Sequence, residues 1–400
     1  MDSGRFIKAL GSSSISYLAI IQAYIEAMNV IMFHSVGSDQ TSWTRNWLSI
    51  EEKQFEVFCK YLNENNYKSH FLDYWLYLQS NINEASTKDV FLTFDDGYLD
   101  NFLVAFHILK KYSLKATFFI NPEFVDPNPG IRTRKHKLSS NTLGYLSWDE
   151  LQFLYESGMI DIQSHSMSHN FYFCSDKVID IYDGQDQYCW MSWIERPDRK
   201  AFWQTEDQRN FVTYGIPIFE YGRALGVRRY FPDQELVNLA LALRSRNLPR
   251  DEIIRQLNKL KHSFPGYYES ESEMAKRYWY ELLESKKILE EKLCKAIDFL
   301  CWPGGAYNDL SLALSKKAGY KASTISPKDK DERQEKGLNY KRIKRFGLSA
   351  IHLTPNGEAL RISNKRFIKW QFLAKRGSKL HKLIIKIVKV INKNVCNRIT

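Results

Sequence analysis

Two stretches of this 400-residue chain hold side chains that could do chemistry together. The first is Phe91-Leu92-Thr93-Phe94-Asp95-Asp96-Gly97-Tyr98, an apolar run that ends in two adjacent carboxylates. The second is Met159-Ile160-Asp161-Ile162, which leads into Ser164-His165-Ser166-Met167-Ser168-His169 and so delivers two imidazoles four residues apart. One carboxylate and two imidazoles are a common ligand set for a catalytic zinc that keeps a position open for water. The remaining carboxylate can then act as the general base that activates that water. Neighbouring strand residues point to opposite faces, so both carboxylates can serve one site only if the backbone bends, and Gly97 permits a bend.

Thr93-Phe94-Asp95-Asp96-Gly97 followed by His165-Ser166-Met167-Ser168-His169 closely resembles the first two motifs of the polysaccharide deacetylases of the NodB type. The resemblance covers roughly residues 28–355, with a long interruption. It implies an α/β fold, a distorted (β/α) barrel with the metal at the C-terminal ends of its strands. It also implies Asp95 as catalytic base and Asp96, His165 and His169 as metal ligands. The expected metal is zinc, with cobalt, nickel or iron suited to the same donors. Near the start, Asn29-Val30-Ile31-Met32-Phe33-His34-Ser35-Val36 is a short buried-type strand ending in histidine. Exopolysaccharide deacetylases with a permuted motif order carry such a histidine to protonate the leaving amine, so His34 is the expected acid. His352 resembles the late Leu-x-His position of unpermuted relatives and is its rival.

Trp302-Pro303-Gly304-Gly305-Ala306-Tyr307 resembles the third motif, whose loop lines the active site. With Tyr98, the residues Trp302, Pro303, Gly304 and Tyr307 are the expected substrate contacts, and a backbone N–H near Tyr98 is a candidate oxyanion donor. Many relatives place an Arg just before the Pro to orient the catalytic Asp, whereas this chain has Cys301-Trp302. Either the Asp is positioned otherwise, or an Arg from Tyr340–Phe346 takes over. The expected reaction is hydrolytic N-deacetylation of an N-acetylated glycan, a bacterial-type polysaccharide or its precursor. Two alternatives stay open: an O-acetyl esterase acting on glycans, and a catalytically impaired relative that only binds glycan.

The elements that position these residues alternate. Strands are predicted at Val90–Phe94, Ala116–Ile120, Ile160–Ile162, Lys321–Ile325 and Tyr340–Phe346. Helices are predicted at Ser49–Asn65 with Ser49 as cap, Asn101–Tyr112, Ser147–Gly158 and Ser311–Gly319. Strand–helix repetition implies parallel strands. Residues 28–169 then form the first part of the barrel and 299–360 the remainder. Between them, 170–298 reads as an insertion over the site. It begins with loop formers and aromatics, most of them a local core with one or two free to stack on sugar. It continues as helices at Leu236–Arg246, Asp251–His262 and Glu271–Leu300. Lys328–Lys336 reads as a charged surface loop.

The net charge of +11 is unevenly placed. Residues 361–400 hold twelve Lys/Arg and no Asp/Glu, which leaves 45 basic against 46 acidic residues elsewhere. Leu380, Leu383, Ile384, Ile387, Val388 and Ile391 form an apolar stripe on this basic segment. Such a helix either lies on an anionic membrane surface, here through residues 365–400, or packs on the barrel. No nucleic-acid partner is expected. The six cysteines show no C-x-x-C spacing and are compatible with a reducing compartment. Residues 15–33 are apolar but interrupted by Gln22 and Glu26, so no secretory signal is read, and residues 1–27 are expected to be a weakly structured extension. A cytoplasmic or peripheral-membrane location follows.

Overall fold

Strands with apolar residues along their whole length belong in a parallel sheet covered on both faces. Asp89–Phe94 and Ala116–Ile120 are mainly apolar and buried at every position. In the computed structural model, which describes residues 29–37, 48–133, 142–325, 342–353 and 359–396, they lie at the middle of a nine-stranded sheet. From one edge the order is Arg342–Ile343, Ala322–Thr324, Phe299–Leu300, Ile160–Ser164, Ala116–Ile120, Asp89–Phe94, Asn29–Phe33 and Phe346–Gly347. Lys68–Ser69 adds a short side pairing to Asp89–Phe94. Every pairing in the sheet is parallel.

The two ends of that path are close in the chain. Only Lys344 and Arg345 separate Arg342–Ile343 at one edge from Phe346–Gly347 at the other. An extended chain spans at most ~3.6 Å per residue. The edges must therefore approach each other, and the sheet curls into the distorted barrel that the motifs imply. The seam falls where one continuous strand was expected over Tyr340–Phe346. Tyr340 and Lys341 lie outside the described residues, as do residues 1–27 and Lys328–Lys336.

Helices cover the outside. Glu52–Glu64 starts three residues later than expected, capped by Glu51 and Gln54 in a reciprocal box. Ser49 does not cap it, because Ser49–Ile50 is drawn into parallel pairing with Ser35–Val36. Ser147 does cap Trp148–Glu156, with Glu150 returning the bond. Asn101–Lys111 opens with a wide π turn over Asn101–Phe106 before becoming α-helical. The expected helix over Glu271–Leu300 ends at Leu293, where Cys294 turns left-handed (φ 50°), and Phe299–Leu300 is a barrel strand. Tyr278, Leu282, Leu289 and Leu293 from this region pack into the main core. The end of the expected insertion thus serves as a covering helix of the barrel.

The rest of the insertion is an antiparallel hairpin, Phe171–Ile181 against Pro217–Arg223. Helices Gln234–Ser245 and Arg250–Leu260 pack on it through Leu236, Ala240, Ile253 and Leu257. Tyr188, Trp190, Trp193 and Trp203 join Tyr98, Phe124 and Tyr145 in a separate aromatic core. The basic C-terminal segment divides in two. Helix Phe367–Lys375 buries Phe367, Ile368 and Phe372, with the Phe372 ring 5.4 Å from Phe58 and 5.6 Å from Tyr67. Helix Lys379–Cys396 lies beyond it.

Phe372→Ala is expected to cost about 3–5 kcal/mol, the usual range for emptying a buried aromatic site. Ile387→Ala on the outer helix, where the side chain is 49% exposed, should stay within about 0.5 kcal/mol. Urea unfolding of the two variants checks this, and equal stabilities would contradict the division between the helices.

Candidate active site

All the barrel strands run the same way, so their C-terminal ends share one rim, where barrel active sites sit. Asn29–Phe33 delivers His34, Asp89–Phe94 delivers Asp95 and Asp96, Ile160–Ser164 delivers His165, and Phe299–Leu300 delivers Cys301. The Asp95 N–H still donates to the Phe33 carbonyl at 3.0 Å, continuing the ladder. The bend comes one residue later and involves more than glycine. Asp96 and Gly97 are both left-handed, each at φ 73°. A non-glycine residue there is strained, and the conformation is what turns the Asp96 carboxylate to the same side as Asp95. A Cβ on Gly97 would meet Ile120 Cδ1 at 2.8 Å.

Asp96 Oδ1 lies 3.2 Å from His165 Nε2 and 3.4 Å from His169 Nε2. All three residues are buried, and their ligand atoms lie within 4.8 Å of one another. Asp96 Oδ1 has no hydrogen-bond partner among the described residues. His165 Nδ1 is 2.8 Å from the Cys301 carbonyl. A carbonyl only accepts, so Nδ1 carries a proton, and the neutral imidazole then presents its Nε2 lone pair towards Asp96. A buried carboxylate oxygen without a hydrogen bond, facing an imidazole lone pair, fits a divalent cation. Asp95, His165 and Cys301 form a second convergent trio, but Arg345 already occupies it.

Arg345 stands at the barrel seam. Its Nη1 donates to Asp95 Oδ1 at 2.7 Å and its Nη2 to Asp95 Oδ2 at 2.8 Å. It also reaches Thr93 Oγ1 at 3.1 Å and Cys301 Sγ at 2.9 Å. Burial pushes the Asp95 carboxyl up, but the charge and hydrogen bonds of Arg345 outweigh it and hold the group below the usual range. Arg345, within the Tyr340–Phe346 stretch, thus grips Asp95 at both carboxylate oxygens. His34 Nε2 sits 3.9 Å from Asp95 Oδ2. Burial lowers its pKa, against the opposing pull of Asp95 and Asp96.

A cleft of about 580 Å³ opens over these groups. The barrel contributes Trp302, Gly304 and Gly305, and the insertion contributes Phe171, Trp190, Tyr221 and Arg223. Among the expected substrate contacts, Trp302 and Gly304 line the cleft. Tyr98 is instead buried against Tyr145 at 5.2 Å between ring centroids. Pro303 is buried, and Tyr307 lies against the Trp302 ring at 5.4 Å. His352 is on the ribbon Ile351–Leu353 paired with Ala359–Arg361, outside the barrel sheet.

Sequence reasoning missed the supports of the histidine loop, in which Ser166 and His169 are left-handed. Glu281, on a π turn at Tyr280–Glu284, accepts from Met167 N at 3.2 Å and Ser168 N at 3.0 Å, and also from Ser168 Oγ. The fully buried Lys200 donates to Ser168 O, Asn170 Oδ1 and Glu123. Arg223 Nη1 is 2.9 Å from His169 Nδ1, and its guanidinium lies 3.9 Å over the Phe171 ring.

Residues 82–193 match the family model of polysaccharide deacetylases. Over 140 residues the chain is 30% identical to YxkH of Bacillus subtilis (strain 168), a polysaccharide deacetylase by name. That match takes in 35% of this chain and 42% of YxkH, so the chain spans less than half the length of that relative. Among solved structures, the BpsB deacetylase domain from Bordetella bronchiseptica is 15% identical. It covers 80% of this chain and 95% of that one with a TM-score of 0.50, a likeness of fold. A de-N-acetylase from Aggregatibacter actinomycetemcomitans is 16% identical over 80% of this chain and 94% of that one, with a TM-score of 0.47.

Beside the site, Ser35 Oγ donates to Asp100 Oδ2. Burial pushes the Asp100 carboxyl up to about 7, against the hydrogen bonds from Ser35 and the Val36 backbone. The native state therefore holds a proton that the unfolded chain has released, and stability falls as pH rises from about 4 to about 7. Asp100→Asn should abolish this component and leave the variant more stable at pH 8, by as much as about 4 kcal/mol. Unfolding midpoints at pH 5 and pH 8 test it; parallel losses in both proteins would contradict the assignment.

Proposed function

Because the chain is similar to polysaccharide deacetylases through the segment that carries Asp95, Asp96, His165 and His169, we propose that it is a hydrolase. It removes the acetyl group from N-acetylated sugars of a bacterial-type polysaccharide or its precursor. The observation that carries this reading is the convergence of Asp96, His165 and His169 around an unpartnered carboxylate oxygen, with Asp95 in the same cleft. Its partners are the glycan and, through residues 365–400, an anionic membrane surface.

Asp96 Oδ1 and the Nε2 atoms of His165 and His169 would hold the cation, with zinc the proposed metal. A bound divalent cation supplies Lewis acidity, polarising the acetyl carbonyl and easing deprotonation of water. Asp95 takes the proton from the attacking water. A carboxylate has about four lone-pair sites, so the two bonds from Arg345 orient it and leave acceptor capacity towards the cleft. Arg345 also keeps Asp95 ionised, as a base must be. The water oxygen bonds to the acetyl carbon, the C–N bond breaks, and the amine nitrogen needs a proton because an amide anion is too poor a leaving group. His34 supplies it at Nε2. The products are acetate and a free amino sugar.

The test is acetate release by the metal-reconstituted full chain from a panel of N-acetylated glycans, with matched O-acetylated glycans beside them. Release from the N-acetylated set supports the proposal; release only from O-acetyl esters would replace it with an esterase. Binding of glycan without any release would replace it with a lectin-like role.

Asp96→Ala, His165→Ala and His169→Ala should each lose bound metal by elemental analysis, and full occupancy in all three would remove the site. Asp95→Asn should retain metal and lose about 10²–10⁴-fold in kcat, the range for a general base.

His34→Ala should retain metal and lose about as much on amides, yet far less on an aryl acetate, whose leaving group departs unprotonated. An inactive His352→Ala beside a near-normal His34→Ala would transfer the acid role to the late histidine.

A further inference from the structure

Helix Lys379–Cys396 is turned opposite to what a helix packed on a protein core requires. Leu380, Leu383, Ile384, Ile387 and Ile391 fall at the i, i+3, i+4, i+7 and i+11 spacing that aligns one helical face. Leu380 is 64% exposed, Leu383 56%, Ile387 49% and Ile391 55%, and the neighbouring Val390 is 58% exposed. The opposite face meets the body. There Ile385, Lys382 and Lys389 line a small cavity with Phe367, Gln371 and Ala374 of the preceding helix and with Ser349 and Ile351. Lys389 is half-buried in that contact, and burial lowers its pKa. The apolar arc therefore faces outward while Lys389 faces the protein. Lys379 and Lys386 are exposed and lie along one border of the apolar arc.

We infer that Lys379–Cys396 is an interfacial helix that lays its Leu380–Ile391 stripe into the surface of an anionic phospholipid membrane. The occupant follows from charge. Residues 361–400 carry twelve Lys/Arg and no Asp/Glu, so a second copy of the helix would meet this one with like charge, whereas an anionic headgroup layer is complementary. The stripe supplies the apolar term and Lys379 and Lys386 the electrostatic one, the two contributions that such helices combine. Among the described residues no helix is long and apolar enough to cross a membrane, so the helix lies on the surface.

Docking there brings the catalytic cleft with it. Ser349 lines both the cleft and the cavity under the helix. Gln371 brackets it, donating from Nε2 to Ser349 O at 2.5 Å and accepting from Ser349 N at 3.2 Å. On the deacetylase reading, the substrate is then a glycan held at or near the lipid surface.

Sedimentation of the full chain with vesicles tests the docking without any substrate, so its outcome is independent of whether the site is a deacetylase. Vesicles of phosphatidylcholine with phosphatidylglycerol should sediment the protein; pure phosphatidylcholine should do so far less, and added salt should weaken binding. Leu383→Glu with Ile387→Glu should reduce partitioning at least about tenfold, the loss expected for one large side chain left unburied. Lys379→Gln and Lys386→Gln should each reduce it about fivefold. Lys60→Gln, on the exposed face of Glu52–Glu64, should change nothing. Unaltered binding by the double glutamate variant overturns the apolar docking. A wild-type dimer that ignores vesicles and becomes monomeric in that variant assigns the face to a contact between copies instead.

Discussion

The bidentate pair between Arg345 and Asp95 ties the architecture to the site. Arg345 occupies the two-residue link between the opposite edges of the sheet, and Asp95 stands at the end of a central strand. The fork across the barrel mouth makes closure of the sheet and orientation of the carboxylate one event. Both groups are buried, with side-chain exposures of 7% and 4%, so neither could shed its partner without leaving a charge in a poorly solvated place. Breaking such a pair from one side costs about 3–5 kcal/mol. The thiol of Cys301, at the end of the neighbouring strand Phe299–Leu300, lies against the same guanidinium. The small cysteine side chain leaves room for the guanidinium to reach Asp95.

What could be read from the sequence is what local spacing encodes. Asp95, Asp96, His165 and His169 each follow an apolar strand within a few residues, and strand polarity alone puts such residues on one rim. His34 was legible for the same reason. Arg345 carried only a weak signal, since charges alternating along a strand usually face water. Glu281 and Lys200 carried none. They hold Ser168 and its neighbours from 113 and 32 positions away, and a glutamate on a helix or a lysine in an aromatic loop looks like ordinary surface until the chain folds. A tyrosine beside the two carboxylates invites a substrate role, whereas the left-handed turn at Asp96 and Gly97 sends Tyr98 into the aromatic core with Tyr145.

The segment expected to be an insertion walls one side of the cleft. Its hairpin leaves directly after His169, so Phe171 at one end and Arg223 at the other stand beside the histidines, with Trp190 and Tyr221 behind them. Most of its aromatics pack on one another, which makes the wall stiff enough to hold a shape. Lys200 anchors the wall to the histidine loop through Ser168 O and Asn170. Changes in this segment therefore reach the ligand loop through a fully buried cation as well as through the outline of the cleft.

The barrel seam also imposes an order of assembly. Strand Asn29–Phe33 leaves the ribosome well before its outer neighbour Phe346–Gly347, which follows more than three hundred residues later. Until that stretch emerges, the first strand keeps an open edge and Asp95 lacks its guanidinium. Joining the two requires closing a very long loop, a slow step compared with the local strand–helix units. A nascent chain can thus complete the histidine loop and the insertion while the aspartate remains without its fork. A product truncated before Arg345 would hold every residue of the two leading motifs and still lack the contact that closes the barrel.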